Sequence, residues 1–443
     1  MARTQPINAD VPPAKPPTGS SEPRRPSPGP KPTTPRRRRK AIPAALKGIA
    51  GLVVLAIVFL VAAIVGGGSS DEPAPDTPAP VSGPSTSPAD APASEAPAEL
   101  GYPAFATSNT TRVGGPDAAS NAAGVALAVY PSTDEAQRPA AVTLVDADDW
   151  QGAIAASALM AAPLGAPQLV SEEDELPEPT SQALDALDPQ GSPDSGGAAA
   201  FAIGAAASPD GLETRRVEAG SAAATAAAIA RLRDRLDGRA PRHVVVTSVD
   251  QPAFAMPAAA WAARSGDPVL FAGRDQLPAA TAAALRRHPK TPVYVLGPSS
   301  AISSSVVRQI AEIGGRVRRV SGEDPVENAI ALARYDDGDF GWNVNDPGHG
   351  FVVSRSDSPL DAAVAAPLSA SGTWGPLLLT DNADTLPAAL RGYLLDVKPG
   401  YTTDPTRAFY NHVWVIGDEG AIDVSQQAEI DELAELAKIG GAP

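Results

Sequence analysis

Three segments of this 443-residue chain open on the same short pattern at nearly equal intervals, and that repeat constrains the fold more than any other feature. The first is Arg112-Val113-Gly114-Gly115-Pro116-Asp117, reaching Asn121-Ala122. The second is Arg216-Val217-Glu218-Ala219-Gly220-Ser221, reaching Thr225-Ala226. The third is Arg319-Val320-Ser321-Gly322-Glu323-Asp324, reaching Asn328-Ala329. The intervals are 104 and 103 residues, a normal length for a small domain.

Within each unit the same order of elements recurs. An apolar run comes first, at Ala141 to Val145, His243 to Thr247 and Phe351 to Ser354, with Asp148, Asp250 or Asp357 in the turn that follows. Ala-rich helical stretches occupy 153–162, 255–264 and 362–370. Second apolar runs start at Gln168, Val269 and Leu377. Leu176-Pro177, Leu277-Pro278 and Leu386-Pro387 then mark another helix, because proline suits a first helical turn. Third runs close the units at Ala200 to Gly204, Val293 to Gly297 and Val413 to Gly417. Strands that are apolar throughout and separated by helices predict parallel sheets covered on both faces. The fold class is therefore α/β, with three tandem small parallel-sheet modules of Rossmann/Toprim-like kind.

Upstream of the repeats the chain changes character. Residues 1–47 hold 11 Lys/Arg against 2 Asp/Glu, while the remainder carries a net charge of −25. The first 35 residues, rich in Pro, Ser, Thr and Arg, bury too little apolar surface to offset ordering entropy. After Arg36-Arg37-Arg38-Arg39-Lys40, an uncharged apolar run extends from Gly48 to Val65. As a helix it rises about 27 Å, close to the hydrocarbon thickness of a bilayer. The basic flank places the N-terminus in the cytoplasm and attracts anionic headgroups. A cleaved signal peptide would have a shorter polar lead. Residues 67–100 are Gly, Ser, Pro and Ala in a spacer-like pattern. The expected organisation is a basic tail over 1–40, one transmembrane helix over 41–66, a linker over 67–108, and repeats over 109–214, 215–315 and 316–443.

Catalytic patterns are thin. Cysteine is absent, which removes disulfides and thiolate chemistry. The four histidines, His243, His288, His349 and His412, form no metal-ligand spacing, so no metal and no cofactor is expected. Neither a Gly-x-Ser-x-Gly elbow nor a phosphate-binding loop occurs. The acidic body disfavours nucleic acid as a partner.

The repeat motifs resemble the type 2 cell wall-binding repeats of Gram-positive surface proteins. Those repeats open on an Arg-x-x-Gly-x-Asp-Arg-Tyr-x-Thr-Ala-like motif and continue through an Asp-Ala-Leu helix, Leu-Pro and a Val-Tyr-Ile-Leu-Gly-Gly strand. The resemblance runs from about residue 109 to the C-terminus. It implies a pseudo-threefold assembly of the three modules, non-covalent attachment to an anionic cell-wall polysaccharide, and no catalysis by the repeats. The chain departs from the pattern where the family's Arg-Tyr pair stands: Ala118-Ala119, Ala222-Ala223 and Pro325-Val326. The Asp of the Asp-Ala-Leu helix survives only as Asp361, with Gly152 and Phe254 as its counterparts.

Candidate ligand-binding residues follow from position. Arg112, Arg216 and Arg319 either hold polymer phosphates or carboxylates bidentately, or anchor loops and inter-module ion pairs, the more ordinary role. Asp117 and Asp324 stand where a helix cap is expected. Asp148, Asp250 and Asp357 follow the C-terminal ends of parallel strands, where α/β sheets bind ligands, though capping accounts for them almost as well. Asp361 completes the set. Two functions fit: a membrane-anchored protein that tethers the membrane to wall polymer, or an envelope scaffold or sensor whose degenerate repeats bind a protein partner.

Overall fold

The computed structural model describes residues 105–371 and 374–439. The basic tail, the apolar run at 48–65 and almost all of the linker lie outside them. Among the described residues no helix is long and apolar enough to cross a membrane.

The described chain folds mainly as three small sheets, each led by parallel strands, with one further two-stranded sheet. The strands are β1 (Phe105–Ala106), β2 (Thr110–Val113), β3 (Val142–Asp146), β4 (Gln168–Ser171), β5 (Ala200–Ile203) and β6 (Thr214–Val217). They continue with β7 (Val244–Ser248), β8 (Val269–Ala272), β9 (Val293–Leu296), β10 (Val317–Val320), β11 (Gly350–Arg355), β12 (Leu377–Thr380), β13 (Gly400–Tyr401), β14 (His412–Ile416) and β15 (Ala437–Lys438). The first sheet runs β4-β3-β5-β6 and the second β8-β7-β9-β10. The third runs β12-β11-β14-β2, with β1 antiparallel on its edge. Every residue of β3, β4, β5, β7, β8, β9 and β12 is buried, so the apolar runs are strands covered on both faces. The expected strands appear within a residue or two of their places.

Each of the three larger sheets holds a fourth parallel strand that apolar runs do not announce, and it is the repeat-start segment. β6 carries Arg215-Arg216, β10 carries Arg318-Arg319 and β2 carries Thr111-Arg112. β6 pairs with β5 and β10 with β9. β2 pairs with β14, at the far end of the chain. The sequence period and the sheets are thus offset. Each repeat's leading strand joins the sheet built by the preceding repeat, and the first repeat's strand joins the sheet of the last. The helix that follows crosses to the next sheet. Ala118–Val129 packs on β4, Ala222–Asp237 on β8 and Pro325–Arg334 on β12.

Between the sheets, equivalent helices from the three repeats pack on one another: Trp150–Ala156 with the 3-10 turn Ser157–Met160, Pro257–Ser265, and the pair Pro359–Val364 and Ala366–Ala370. Alanine makes this possible, since Ala153, Ala156, Ala259, Ala262, Ala362 and Ala365 are all fully buried. Side chains this small let backbones approach to native packing density. A larger residue here, such as Ala259→Leu, overpacks the contact at about 1–3 kcal/mol. The helix starts follow the Leu-Pro pairs. Pro177, Pro278 and Pro387 occupy the extended position just before Glu178–Leu187, Ala279–Arg287 and Ala388–Asp396, one place earlier than the first turn itself.

The third repeat adds a loop at 335–349 that reaches the second sheet. Phe340 stacks on Tyr294 with centroids 3.5 Å apart and planes 3° from parallel. It also meets His243 at 5.4 Å and Trp261 at 4.8 Å. Asp339 accepts from His243 Nε2 at 3.1 Å, and Asp337 accepts from the Tyr294 hydroxyl at 2.7 Å. These contacts bind the second and third modules together through aromatic burial.

Candidate binding site at the closure of the sheets

The three repeat-start arginines do one job in three places. Arg112 donates from Nη1 to the carbonyls of Gly417 at 2.9 Å and Asp418 at 2.6 Å. Its Nη2 reaches the Ile422 carbonyl at 2.5 Å, and its Nε reaches Gln427 Oε1 at 3.0 Å. Arg216 donates to the Gly204 carbonyl at 2.6 Å and to Ser208 Oγ at 2.9 Å. Arg319 donates to the carbonyls of Gly297 and Ile302. Gly417, Gly204 and Gly297 are equivalent: each follows the strand next to the arginine's own. The guanidinium fork therefore ties each leading strand to the turn beyond its neighbour, which is the loop-anchoring role. Arg112 is 2% exposed. Burial draws its guanidinium below the ordinary value, against the raising effect of Glu419, Asp418 and Asp423.

The residues after each arginine build the crossing. Asp117, Ser221 and Asp324 cap the helices that follow, accepting from the backbone N–H of Ser120, Ala224 and Glu327. Serine therefore preserves the cap where the motif's Asp is lost. Asn121 accepts from the Gly115 N–H at 2.9 Å and donates to Asp361 Oδ1 at 2.8 Å. Gly114 makes room for it: at φ +112°, a Cβ there would stand 1.9 Å from Asn121 Oδ1. Thr225 and Asn328 hold the equivalent places. Thr225 bonds to the Ala219 backbone, and Asn328 donates to the Phe254 carbonyl at 3.3 Å. The Asn–carboxylate pair thus forms only where the last repeat meets the first.

Beside that pair lies a cleft of about 480 Å³, lined among others by Gly115, Asp117, Asn121, Asp361, Asp418 and Gly420. Burial raises the Asp361 carboxyl above the usual carboxylate range; the Asn121 hydrogen bond pulls against this, and the charge of Asp117 adds to it. Three carboxylates and exposed backbone suit hydroxyl groups of a sugar better than an anion. Among the described residues no acidic or histidine cluster is placed to hold a metal ion.

Asp148, Asp250 and Asp357 are exposed and follow β3, β7 and β11, each on a different sheet. They cap no helix. Asp149, one residue on, caps Trp150–Ala156, while Gln251 and Ser358 take the cap positions without a side-chain cap bond. Asp357 is held bidentately by Arg355 at 2.7 and 3.2 Å. Of the seven sequence candidates, the structure brings Asp361 into the cleft and engages the three arginines with backbone.

One charge feature escapes motif reading. Residues 109–214 carry 2 Lys/Arg against 16 Asp/Glu, and 316–443 carry 9 against 20. Residues 215–315 reverse the sign, with 13 against 7. Counting charge repeat by repeat, rather than over the whole acidic body, exposes it.

The Cell wall binding domain 2 (CWB2) family model matches residues 216–307 and 319–427, each span opening on a repeat-start arginine. No curated protein sequence matches the chain. Among solved structures, Cwp6 from Clostridium difficile is similar with a TM-score of 0.60 at 20% identity, covering 74% of this chain and 48% of its own. Cwp8 from Clostridium difficile is similar with a TM-score of 0.57 at 21% identity, covering 74% of this chain and 52% of its own. The chain thus spans about half the length of these two structures, and the likeness is one of fold. Residues 216–307 and 319–427 are thus similar to two successive repeats of the Cell wall binding domain 2 family.

Proposed function

We propose that this protein binds cell-wall polymer non-covalently at the cell surface and so tethers membrane to wall. The observation that carries the reading is the pair of spans matched by the family model, each supplying three parallel strands of one sheet. We read residues 109–214 as a third, diverged copy, because its sheet has the same strand order and its arginine the same carbonyl partner. The three then form a pseudo-threefold unit closed by β2. In this reading the apolar run at 48–65 is the membrane anchor, the basic tail faces the cytoplasm, and the Pro/Ala/Ser linker spans the gap.

The polymer reading is tested by sedimentation with isolated wall sacculi, before and after extraction of secondary polymers, across a salt series. Co-sedimentation that extraction abolishes supports it. Absence of binding at low salt to polymer-bearing walls sinks it. That outcome favours a second reading, a scaffold or sensor for a protein partner. Phe409 and Tyr410, 71% and 55% exposed just before β14, are the surface such a partner would cover.

A further inference from the structure

The second module carries a cationic face that no repeat motif encodes. Helices Ala222–Asp237 and Ala279–Arg287 lie side by side on the second sheet. Their C-terminal ends are joined through Asp234, which pairs with Arg287 and accepts from His288 Nε2 at 2.8 Å. Around this seam Arg231, Arg235, Arg239, Arg242, Arg286 and Lys290 are exposed. Among the described residues none of the six has an ion-pair partner.

The equivalent helix ends of the other modules carry no such excess of cations. In the first module the seam holds one cation, Arg138, paired with Asp188. In the third Arg334 pairs with Asp396 at 2.5 Å, and Lys398, just past the second helix, donates to the Glu432 carbonyl at 2.6 Å. Cations in a last helical turn also complement the helix dipole, which accounts for Arg235 and Arg286. Arg239, Arg242 and Lys290 lie beyond the helix ends, where that effect does not reach. Unpaired like charges on one face repel one another, and an arriving polyanion relieves that repulsion. The acidic cleft at the closure of the sheets offers nothing comparable to an anion.

Resting on the wall-binding reading above, we propose that this face of the second module is the docking surface for an anionic wall polysaccharide. Its phosphate or carboxylate groups run along the helix seam and engage the arginines bidentately. The acidic first and third modules repel such a chain elsewhere and confine it to this face.

The test uses the full-length protein in detergent, so that the basic tail contributes equally to every sample. Sedimentation with polymer-bearing walls across a salt series is compared for the parent, Arg235→Glu/Arg239→Glu/Arg242→Glu, its Gln counterpart, and the control Arg407→Glu/Lys438→Glu. Thermal melting confirms that each is folded. The expected result is at least about a tenfold loss of affinity for the Glu triple, a smaller loss for the Gln triple, and a shallower salt dependence in both. The control should bind as the parent does. Triples that bind like the parent overturn this inference and leave the wall-binding reading standing. A parent that does not bind polymer-bearing walls overturns both. Triples that lose binding to phosphatidylglycerol vesicles while keeping the walls assign the face to membrane lipid and overturn it as well.

Discussion

The Arg112 guanidinium and the Gly417 carbonyl, 305 positions apart in sequence, meet at 2.9 Å. With the β2–β14 pairing this bond closes the chain on itself, so the last sheet is incomplete without the first repeat. Closure of so long a loop opposes folding entropically, though the penalty grows only slowly with length. The β2–β14 ladder and the hydrogen bonds of Arg112 to its backbone acceptors offset it.

Because the three arginines share a partner but differ in burial, their substitutions should rank by burial. Arg112→Met leaves several buried carbonyls and Gln427 without a donor, and should destabilise by about 3 kcal/mol or more. Arg216→Met, at an exposed edge, should cost about 1 kcal/mol or less. Arg319→Met should fall between them. Urea unfolding midpoints give the order, and equal losses at all three would contradict the closure account.

Asp361 should be a stability burden at neutral pH. Burial raises its folded pKa above the unfolded value, so the folded state holds the proton more tightly. Stability from this group is then greatest below about pH 4 and falls as pH rises through the raised value. Asp361→Asn, which still accepts from Asn121, should melt higher than the parent at neutral pH and equal to it in acid. Asn121→Ala removes the donor and should destabilise by about 1–2 kcal/mol.

His243 should impose a demand of the same direction, at higher pH, on the inter-module contact. Burial disfavours its charge, but Asp267, 3.0 Å from Nδ1, and Asp339, 3.1 Å from Nε2, outweigh that and raise its pKa. The stability contribution is complete below about pH 6.5 and is lost as pH rises through the raised value. Melting temperature should therefore decline across this window in the parent. The decline should be weaker in His243→Asn, and an identical slope would remove His243 from the account.

Phe340→Ala should loosen the 335–349 loop. The ring is 2% exposed and stacked on Tyr294, so its loss costs about 3–5 kcal/mol. Limited proteolysis should show new cleavage within 335–349. Hydrogen exchange should rise there and around β9, with the first sheet unchanged.

Much of the fold was legible because buried strands and Ala-rich helices write their environment into side chains. β8, read from Val269-Leu270-Phe271, needs apolar groups on both faces, and no other placement satisfies them. The leading strands were illegible for the same reason in reverse. β6 and β10 are edges with exposed arginines, and their place rests on backbone pairing and on arginine bonds to backbone carbonyls, whose partners the apolar pattern does not specify. Within the candidate site, Asp117 and Asp324 could be read as caps from local sequence. The Asn121–Asp361 bond could not, because it joins residues 240 positions apart.

By itself the sequence determined the period of the repeat, the order of buried strands and helices, the family likeness and the sign of charge in each repeat. Those properties reside in local side-chain chemistry. Only the tertiary structure decided which sheet each arginine strand joins, that the first repeat closes the last, and that the arginines of two separate helices share one face. Pairing partners and surface neighbours are set by backbone geometry across long chain separations, where composition and spacing carry no information.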